Sequence, residues 1–168
     1  MTRRIAVLLH NVRSTHNVGS IFRTSEAAGA ERIYLSGYTP APIDRFGRIQ
    51  KDIGKTALGA EKMLPWEHFS SPSDIIRKLK NEGWAVVGIE QDKHAIDYRK
   101  FSAEGGSSSG GKLKKPILFI FGNEVRGISP ALRAQCDTLI EIPMNGKKES
   151  LNVSVAAGIV LFRAVSSN

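Results

Sequence analysis

Residues 10–24 concentrate side chains that bind anions and orient polar ligands. The segment reads HNVRSTHNVGSIFRT, so asparagine, histidine, arginine and hydroxyl groups follow a short apolar run. We predict that Asn17 caps a helix beginning at Val18, whose free N–H groups and positive dipole end attract an anion. Arg23 follows on the same helix, and both side chains can lean toward the end of the preceding strand. Ordinary capping and a solvated arginine explain any one of these residues alone. The density of these side chains in one segment favours a ligand-binding site, and Gly19 allows another group to approach the helix closely.

A carboxylate follows a second apolar run, in segment 117–129 (ILFIFGNEVRGIS). The run ends directly in Gly-Asn-Glu, which puts Glu124 where the predicted strand leaves the sheet. Gly122 and Gly127 flank it, and glycine lets a ligand or another backbone approach closely. A helix N-terminal glutamate, or an ion pair with Arg126, accounts for the same residues. The pattern therefore indicates a polar rim on the sheet without defining its ligand.

A third polar segment, 140–155 (IEIPMNGKKESLNVSV), joins an apolar run to the last predicted helix. Its proline and glycine predict a tight excursion of the chain. Lys147 and Lys148 add positive charge there. Ser150 and Asn152 bracket the start of the helix, and Ser150 is its N-cap in the simplest interpretation. Capping is compatible with a further role in ligand binding.

Strands that alternate with helices must position these segments. Short apolar or β-branched runs predict buried strands, and apolar residues at helical spacing predict the connecting helices. The expected fold class is α/β, a parallel sheet flanked by helices on both faces. Ligands of such sheets lie at the carboxyl ends of the strands, where the three polar segments begin. The predicted strands are 5–9, 32–36, 84–89, 117–121 and 138–142, and the predicted helices are 18–28, 56–63, 71–82, a turn after Ser129, and 151–165.

Length and charge bound the class of protein. The chain has 168 residues, 41% of them hydrophobic, which suits one domain with its own core. We expect 1–168 to be a single domain with a flexible loop at 105–111 (GGSSSGG). The net charge of +8 lies at the two ends, since residues 1–60 carry nine basic and four acidic side chains and residues 111–168 eight and four. A nucleic acid is the natural partner, and plain solubility charge is the alternative.

Several common sites are excluded by their motifs. The sequence has no GxxxxGK[ST] phosphate loop, no GxGxxG after the first strand, and no CxxC or HExxH spacing, so we expect no metal. The single cysteine, Cys136, cannot form an internal disulfide and is expected to be a small buried side chain. The apolar run 5–9 is too short for a signal peptide or a membrane span. We therefore expect a cytoplasmic protein that does not enter a membrane.

Taken in order, the segments resemble the three motifs of the SpoU (TrmH-like) branch of the SPOUT RNA methyltransferases. The motifs are NxxxxxNxGxxxRT, FGNExxG and IPM followed by SLNVSVA, and they reach from Asn11 to about Phe162. The resemblance implies S-adenosylmethionine as cofactor and methyl transfer to the ribose 2′-oxygen of tRNA or rRNA, with the guanosine-directed members the nearer match. It also implies the SPOUT fold with a C-terminal trefoil knot, and a homodimer. The apolar last helix, with Val155, Ile159 and Phe162, suits such an interface, although burial within one subunit gives the same pattern.

The resemblance also implies roles for individual residues. Backbone contacts suit the adenine of the cofactor, because free N–H and C=O groups of a loop can bind its edge. The implied catalytic residues are Asn17, Arg23, Glu124, Ser150 and Asn152. The implied cofactor-binding residues are Gly122, Ile142 and Leu151 through their backbone, with Leu118, Phe121, Pro143 and Met144 nearby. The implied RNA-binding residues are Arg13, Arg23, Arg126, Lys147 and Lys148.

Arg23 is the family's favoured catalytic residue. A guanidinium has a pKa above about 12 and keeps its proton in proteins. We predict that Arg23 stabilises the developing alkoxide and grips a phosphate, while phosphate or water takes the proton. Glu124 is expected to position the loops or the ribose of the cofactor. Because the first strand begins at Ile5, target selection is expected from the core's own surface, a partner or the dimer.

Two other functions fit the sequence less well. A noncatalytic RNA-binding or assembly factor on the same fold predicts loss of Asn17, Arg23 or the motif around Ser150 and Asn152, all of which are present. A nucleotide-binding enzyme of the flavodoxin type predicts phosphate-binding loops that the chain lacks. Binding of S-adenosylmethionine would distinguish the RNA methyltransferase from an enzyme of flavodoxin type. Methyl transfer to RNA would distinguish it from the assembly factor.

Overall fold

A seven-stranded parallel sheet forms the centre of the protein. The computed structural model describes residues 4–101 and 115–166, and the predicted flexible loop at 105–111 lies outside them. The strands are β1 (Ile5–His10), β2 (Arg32–Ser36), β3 (Trp66–Phe69), β4 (Ala85–Ile89), β5 (Ile96–Asp97), β6 (Ile117–Phe121) and β7 (Thr138–Glu141). They lie in the order β3-β2-β1-β6-β4-β7-β5, and every pairing is parallel.

Helices cover both faces of this sheet. They are α1 (Thr15–Ala27), α2 (Lys51–Ala57), α3 (Ala60–Met63), α4 (Pro72–Asn81), α5 (Pro130–Arg133) and α6 (Val153–Ser166). Helices α1, α2, α3 and α6 contribute to one buried apolar cluster, and α4 and α5 to a second cluster on the opposite face. The predicted α/β class, with helices on both faces, is confirmed. Within the described residues, none of these helices has the length and apolarity needed to cross a membrane.

Alternation along the central strands explains the two clusters. Successive side chains of a strand point to opposite faces. In β6, Phe119 and Phe121 pack into the first cluster, while Leu118 and Ile120 pack into the second. All five residues of this strand are buried. A strand that is apolar throughout its length therefore requires helices on both sides, as the sequence predicted.

Two edge strands and one helix boundary differ from the prediction. Strands β3 and β5 were missed because they are short and only partly buried at the margins of the sheet, where side chains need not be continuously apolar. The helix predicted at 56–63 begins earlier, at Lys51, and is interrupted by left-handed residues at Leu58 and Gly59. Cys136 was expected to be buried and is half-buried, and this burial raises the pKa of its thiol to about 11.

Two predicted helix caps were wrong. Ser14, not Asn17, caps α1, and its hydroxyl accepts a hydrogen bond from the Asn17 N–H at 3.2 Å. At α6, Asn152 rather than Ser150 takes this role, because its side-chain oxygen accepts from the Ser154 N–H at 2.8 Å. The cap thus lies three residues before the predicted position at α1 and two residues after it at α6. The difference leaves the Asn17 side chain available for other contacts.

The strand order brings the three polar segments together. The segments after β1 and β6 leave adjacent strands, and β4 and β7 follow on the same side of the sheet. Because all strands are parallel, their carboxyl ends meet at one edge. The C-terminal knot implied by the family resemblance stays a prediction.

Candidate active site

A hydrogen-bonded junction links all three polar segments at this edge of the sheet. The Glu124 carboxylate accepts hydrogen bonds from the backbone N–H groups of Arg13 (3.0 Å) and Ser14 (3.1 Å). It also accepts one from the Asn17 side-chain amide at 3.2 Å. The Asn17 oxygen in turn accepts from the Asn152 amide at 3.1 Å. We call Glu124, Asn17 and Asn152 the three-loop junction.

The orientation of each amide in the junction follows from its neighbour. A carboxylate only accepts hydrogen bonds, so Asn17 must turn its NH₂ group toward Glu124. Its oxygen then faces Asn152, which must offer its own NH₂ group. The remaining oxygen of Asn152 accepts from both the N–H and the hydroxyl of Ser154, at 2.8 and 2.6 Å. No donor faces another donor, so the junction has one consistent arrangement.

Glu124 occupies the anion position that the sequence assigned to an external ligand. The free N–H groups lie directly before α1, where the helix dipole favours negative charge. Burial alone would raise the pKa of Glu124, but the hydrogen bonds from the N–H groups of Arg13, Ser14 and Glu124 itself and from the Asn17 amide together hold it below its usual value. The anion at this helix N-terminus is therefore a side chain of the protein itself.

A second cluster of polar side chains adjoins the junction, because its central residue, Asn123, directly precedes Glu124. The Asn123 amide donates to the Asn11 carbonyl (3.0 Å) and to the Tyr38 hydroxyl (3.1 Å), and its oxygen accepts from the N–H groups of the next turn. Asn11 has a left-handed backbone (φ 58°), and its side-chain amide donates to the ring of His10 at 3.0 Å. The other ring nitrogen lies 2.9 Å from the Ser36 hydroxyl. Burial lowers the pKa of His10, and a neutral ring with its proton on Nδ1 satisfies both contacts.

A cleft of about 220 Å³ lies beside the junction. Its walls come from the segments after β4, β6 and β7 and from the start of α6. Gly122 must lack a side chain there, because a Cβ would overlap the backbone of Gly127 and Ile128. Of the residues implied by the family resemblance, those that line the cleft are Phe121, Gly122, Glu124, Arg126, Ile142, Met144, Ser150 and Leu151.

Sequence reasoning missed one wall of this cleft. Glu90 and Gln91 follow β4, and both line it. The Glu90 carboxylate accepts from the Ile128 N–H (2.6 Å) and its own neighbour's N–H (3.0 Å), and Gln91 donates to the Glu149 carbonyl at 2.7 Å. The available signal was position alone, since the end of the strand predicted at 84–89 also lies at the carboxyl edge. A β-carbon at Gly127 would overlap the Glu90 carboxylate, which explains this glycine.

The other implied residues lie outside the cleft lining, and of these only Arg13 contacts the junction, through its backbone N–H. Leu118 is fully buried in the second apolar cluster, so it supports β6 from within the core. Arg23 is exposed on α1, outside the lining of the cleft, and forms no hydrogen bond or ion pair with another described side chain. Pro143 adjoins the cleft without lining it. Three further basic residues are exposed outside the cleft lining, namely Arg13, Lys147 and Lys148.

Gly19 serves the packing of two helices rather than a ligand. A Cβ at this position would overlap the hydroxyl of Thr56 and the carbonyl of Ile53, both on α2. Thr56 also donates a hydrogen bond to the His16 carbonyl at 3.1 Å. The close neighbour expected from the sequence is therefore helix α2. Among the residues that the structure describes, no group of three or more His, Cys, Asp or Glu side chains is placed to hold a metal ion.

Comparison with known proteins places this geometry in a family. The chain is 34% identical over 165 residues to the 23S rRNA (guanosine-2'-O-)-methyltransferase RlmB of Ralstonia nicotianae, covering 96% of this chain and 58% of that protein. It superposes on the AdoMet-bound rRNA methyltransferase of Sinorhizobium meliloti with a TM-score of 0.82 and 30% identity, covering 98% of this chain and 56% of that one. The A. aeolicus TrmH/SpoU tRNA modifying enzyme gives 0.80 and 28%, covering 99% and 77%.

The chain thus spans little more than half the length of its curated relative, and the match covers the sheet, the junction and the cleft. The model of the SpoU rRNA methylase family matches residues 4–162, which include every residue of the three-loop junction. On this match, the chain belongs to the SpoU rRNA methylase family.

Proposed function

We propose that this protein transfers a methyl group from S-adenosylmethionine to the ribose 2′-hydroxyl of a tRNA or rRNA nucleotide. The observation that carries the proposal is the three-loop junction, which fixes an asparagine, a carboxylate and a second asparagine beside a cleft at the carboxyl edge of the sheet. Family membership and the activity named for the Ralstonia nicotianae relative support the same reaction.

The backbone around the cleft fits the adenosyl part of this cofactor. Within the described residues, the main chain of 142–151 forms a single hydrogen bond, from Gln91 to the Glu149 carbonyl. The N–H and C=O groups of Ile142, Met144 and Leu151 therefore have no partner in the described chain and stand at the cleft. Together with apolar side chains, such groups can bind the edge and faces of a purine.

The charge of the cleft also fits. S-adenosylmethionine supplies an electrophilic methyl group on a positively charged sulfur. Three carboxylates, those of Glu90, Glu124 and Glu141, line the cleft, and Arg126 is the single Lys or Arg side chain among its described lining residues. We assign the backbone of Gly122, Ile142 and Leu151 to the cofactor, with Phe121, Pro143 and Met144 around it. Leu118 is buried in the second apolar cluster and supports strand β6.

The remaining residues act on the RNA and on the geometry of the site. Asn17, Glu124 and Asn152 are positioning residues, because they hold the three loops at fixed separations. Ser150 is exposed at the cleft and forms no hydrogen bond with a described residue, so its hydroxyl can contact the substrate ribose. Arg23 stabilises the developing alkoxide with its planar fork of N–H donors and keeps its own proton.

Exposed arginine and lysine side chains around the site can bind phosphate groups of the RNA. Arg13, Arg126, Lys147 and Lys148 are exposed, and none forms an ion pair with another described residue. Each can therefore neutralise a phosphate and release its counterions. We further propose that residues 1–168 act as one methyltransferase domain, in the cytoplasm.

We propose that the working form is a homodimer whose interface includes α6. Val155 and Phe162 lie on one face of this helix and are 49% and 47% exposed, although α6 also packs against α1. Exposed apolar side chains at helical spacing suit a self-complementary interface. Ile159 lies between them and is half-buried. Because Arg23 on α1 lies outside the cleft of its own chain, a second copy can bring an arginine to the site.

A charge placed on this face should separate the dimer. We expect Phe162→Asp to sediment as a monomer at concentrations where the wild-type protein sediments as a dimer. Met63→Asp is the matched control, because Met63 is 69% exposed and belongs to a different helix, α3. A monomeric wild-type protein, or a Phe162→Asp variant that still dimerises fully, would contradict the proposed interface.

The methyl-transfer activity itself is tested in two steps. Calorimetry should detect binding of S-adenosylmethionine to the purified protein, which excludes the enzyme of flavodoxin type. Mass-spectrometric mapping should then find 2′-O-methyl groups on total RNA from cells that lack the gene, after incubation with protein and cofactor. Cofactor binding without any transfer would favour the noncatalytic assembly factor. Transfer to a base nitrogen alone would refute the 2′-O assignment.

A further inference from the structure

A small hairpin lies between β2 and α2. Ile43 and Ile49 form an antiparallel bridge, and the Pro42 carbonyl accepts from the Gln50 N–H at 2.9 Å. Within the turn, the Asp44 N–H donates to the Arg48 carbonyl at 3.0 Å. Gly47 has a left-handed backbone (φ 77°), as a tight turn requires. We call residues 43–49 the arginine hairpin.

The acidic side chain of the hairpin, Asp44, is hydrogen-bonded to other residues of the hairpin. The Asp44 carboxylate accepts from the N–H groups of Phe46 (2.8 Å) and Arg48 (3.0 Å) and from the Arg48 guanidinium (2.7 Å). The backbone hydrogen bond from Arg48 is the largest of the contributions that lower the pKa of Asp44. With this carboxylate paired, the exposed surface of the hairpin and of adjoining Lys51 is cationic.

An aromatic ring stands at the tip of this cationic surface. Phe46 is 66% exposed. The guanidinium carbons of Arg45 and Arg48 lie 4.8 and 5.0 Å from the centre of its ring. The turn thus holds a phenylalanine in solvent close to two arginines, where its ring gains little from burial. Aromatic rings and guanidinium planes held in this way are the groups on which unpaired bases stack.

The base of the hairpin is attached to the proposed active site. The Tyr38 hydroxyl accepts from the Asn123 amide at 3.1 Å, and the Tyr38 N–H donates to Asn11 at 3.1 Å. Asn123 directly precedes Glu124 of the three-loop junction. Phe46 follows Tyr38 by eight positions, so the tip lies within about 28 Å of this attachment. A short run of unpaired nucleotides spans such a distance.

We propose that the arginine hairpin binds single-stranded RNA that flanks the methylated nucleotide. An unpaired base stacks against the assembly of Phe46 and Arg45, and Arg45 also contacts a phosphate. The inference rests on the proposed function, since it names how the same site holds its RNA. A second copy of the chain is disfavoured as the occupant, because a two-fold contact would bring equal positive charges together.

Binding of a labelled oligonucleotide tests the hairpin. The probe is a fluorescein-labelled, mixed-sequence RNA of about 12 nucleotides, a length that covers one stacking platform and its flanks. We expect Phe46→Ala to weaken binding of the single strand about tenfold, and Phe46→Trp to restore it. The affinity for the same RNA as a duplex should not change, because its bases are not free to stack. Met63→Ala, which removes a side chain of similar exposure, should bind like the wild type.

The charge of the hairpin is measured separately. For a single strand, each neutralised phosphate contributes about 0.7 to the slope of log affinity against log salt concentration. Arg45→Gln should lower that slope by about this amount. Because Phe46 and Arg45 are exposed, both variants should keep the wild-type Tm, which thermal unfolding verifies.

The outcomes distinguish the hairpin from the proposed function. Wild-type affinity of Phe46→Ala for the single strand, or an equal loss for strand and duplex, would overturn the stacking role. A change of oligomeric state in Phe46→Ala without a change in RNA affinity would identify a protein interface instead. A protein whose RNA binding depends on Phe46 but which transfers no methyl group would refute the proposed function and leave the hairpin proposal supported.

Discussion

Replacement of Arg23 by lysine is expected to slow methyl transfer to RNA at least tenfold, and replacement by glutamine about 100- to 1,000-fold. The loss of one donor to a developing oxyanion has effects of this size. Lysine keeps the positive charge but loses the planar fork that contacts two oxygens at once. Single-turnover kinetics with saturating RNA and S-adenosylmethionine measures the rate of the chemical step.

The surroundings of Arg23 allow a slower rate in these variants to be attributed to the lost guanidinium rather than to altered folding. The side chain is exposed and forms no hydrogen bond or ion pair with another described side chain, so both variants should keep the wild-type stability within about 0.5 kcal/mol. Cofactor affinity should not change, because Arg23 lies outside the cleft. Arg77→Lys on α4 is the matched control. Wild-type rates for Arg23→Lys would refute the proposed role of the guanidinium.

A carboxylate in place of the Asn17 amide is expected to disrupt the junction. Asn17→Asp removes the donor that faces Glu124 at 3.2 Å and sets two acids against each other. We expect it to lower the free energy of unfolding by about 2–3 kcal/mol at pH 7.5, through the lost charge-assisted hydrogen bond and the repulsion. Methyl transfer should fall about 100-fold or more, since small displacements of positioning groups have large effects.

The pH dependence identifies the cause of this effect. Hydrogen bonds lower the pKa of Glu124 in the wild type, so its contribution to stability is full above the unfolded pKa and is lost as pH falls through the lowered folded pKa. In Asn17→Asp the repulsion ends once one of the two acids takes a proton. The stability deficit relative to wild type should therefore shrink between about pH 6 and pH 4. Chemical denaturation across this range measures it.

Two further variants separate charge from contact. Asn17→Ala removes both hydrogen bonds without adding charge, and should lower stability by about 1–2 kcal/mol with no such recovery at low pH. Asn81→Asp, at the exposed end of α4, controls for a new acid in general. A deficit for Asn17→Asp that stays constant with pH would show that repulsion at Glu124 is not its cause.

The central sheet was predictable because its strands are apolar along their whole length. The β6 run 117–121 must be buried on both faces, which specifies parallel strands with helices above and below. The edge strands β3 and β5 could not be recognised, since a strand at the margin of a sheet has no uniform burial pattern. The helix caps were wrong for a related reason, since several serine and asparagine residues near each helix start have similar capping propensity.

The sequence predicted which edge of the sheet holds the site, but it did not predict the side-chain contacts within the site. The rule that ligands bind at carboxyl ends of parallel strands selected the correct edge. It did not show that Glu124 would fill the anion position before α1, because the contact joins residues 110 positions apart. Glu90 was missed since no motif marks it, although its strand was predicted. Long-range side-chain contacts of this kind depend on tertiary structure, which local sequence patterns do not encode.

The three-loop junction also determines when the protein can first act during its synthesis. Asn17 contacts partners 107 and 135 residues later in the chain. A growing chain that has passed Glu124 can close the first of these contacts, yet it lacks Asn152 and the helix that follows. Translation adds about 5–20 residues per second, so Asn152 is synthesised roughly 1–6 s after Glu124. The junction is therefore complete only after the segment that leads into α6 has been made.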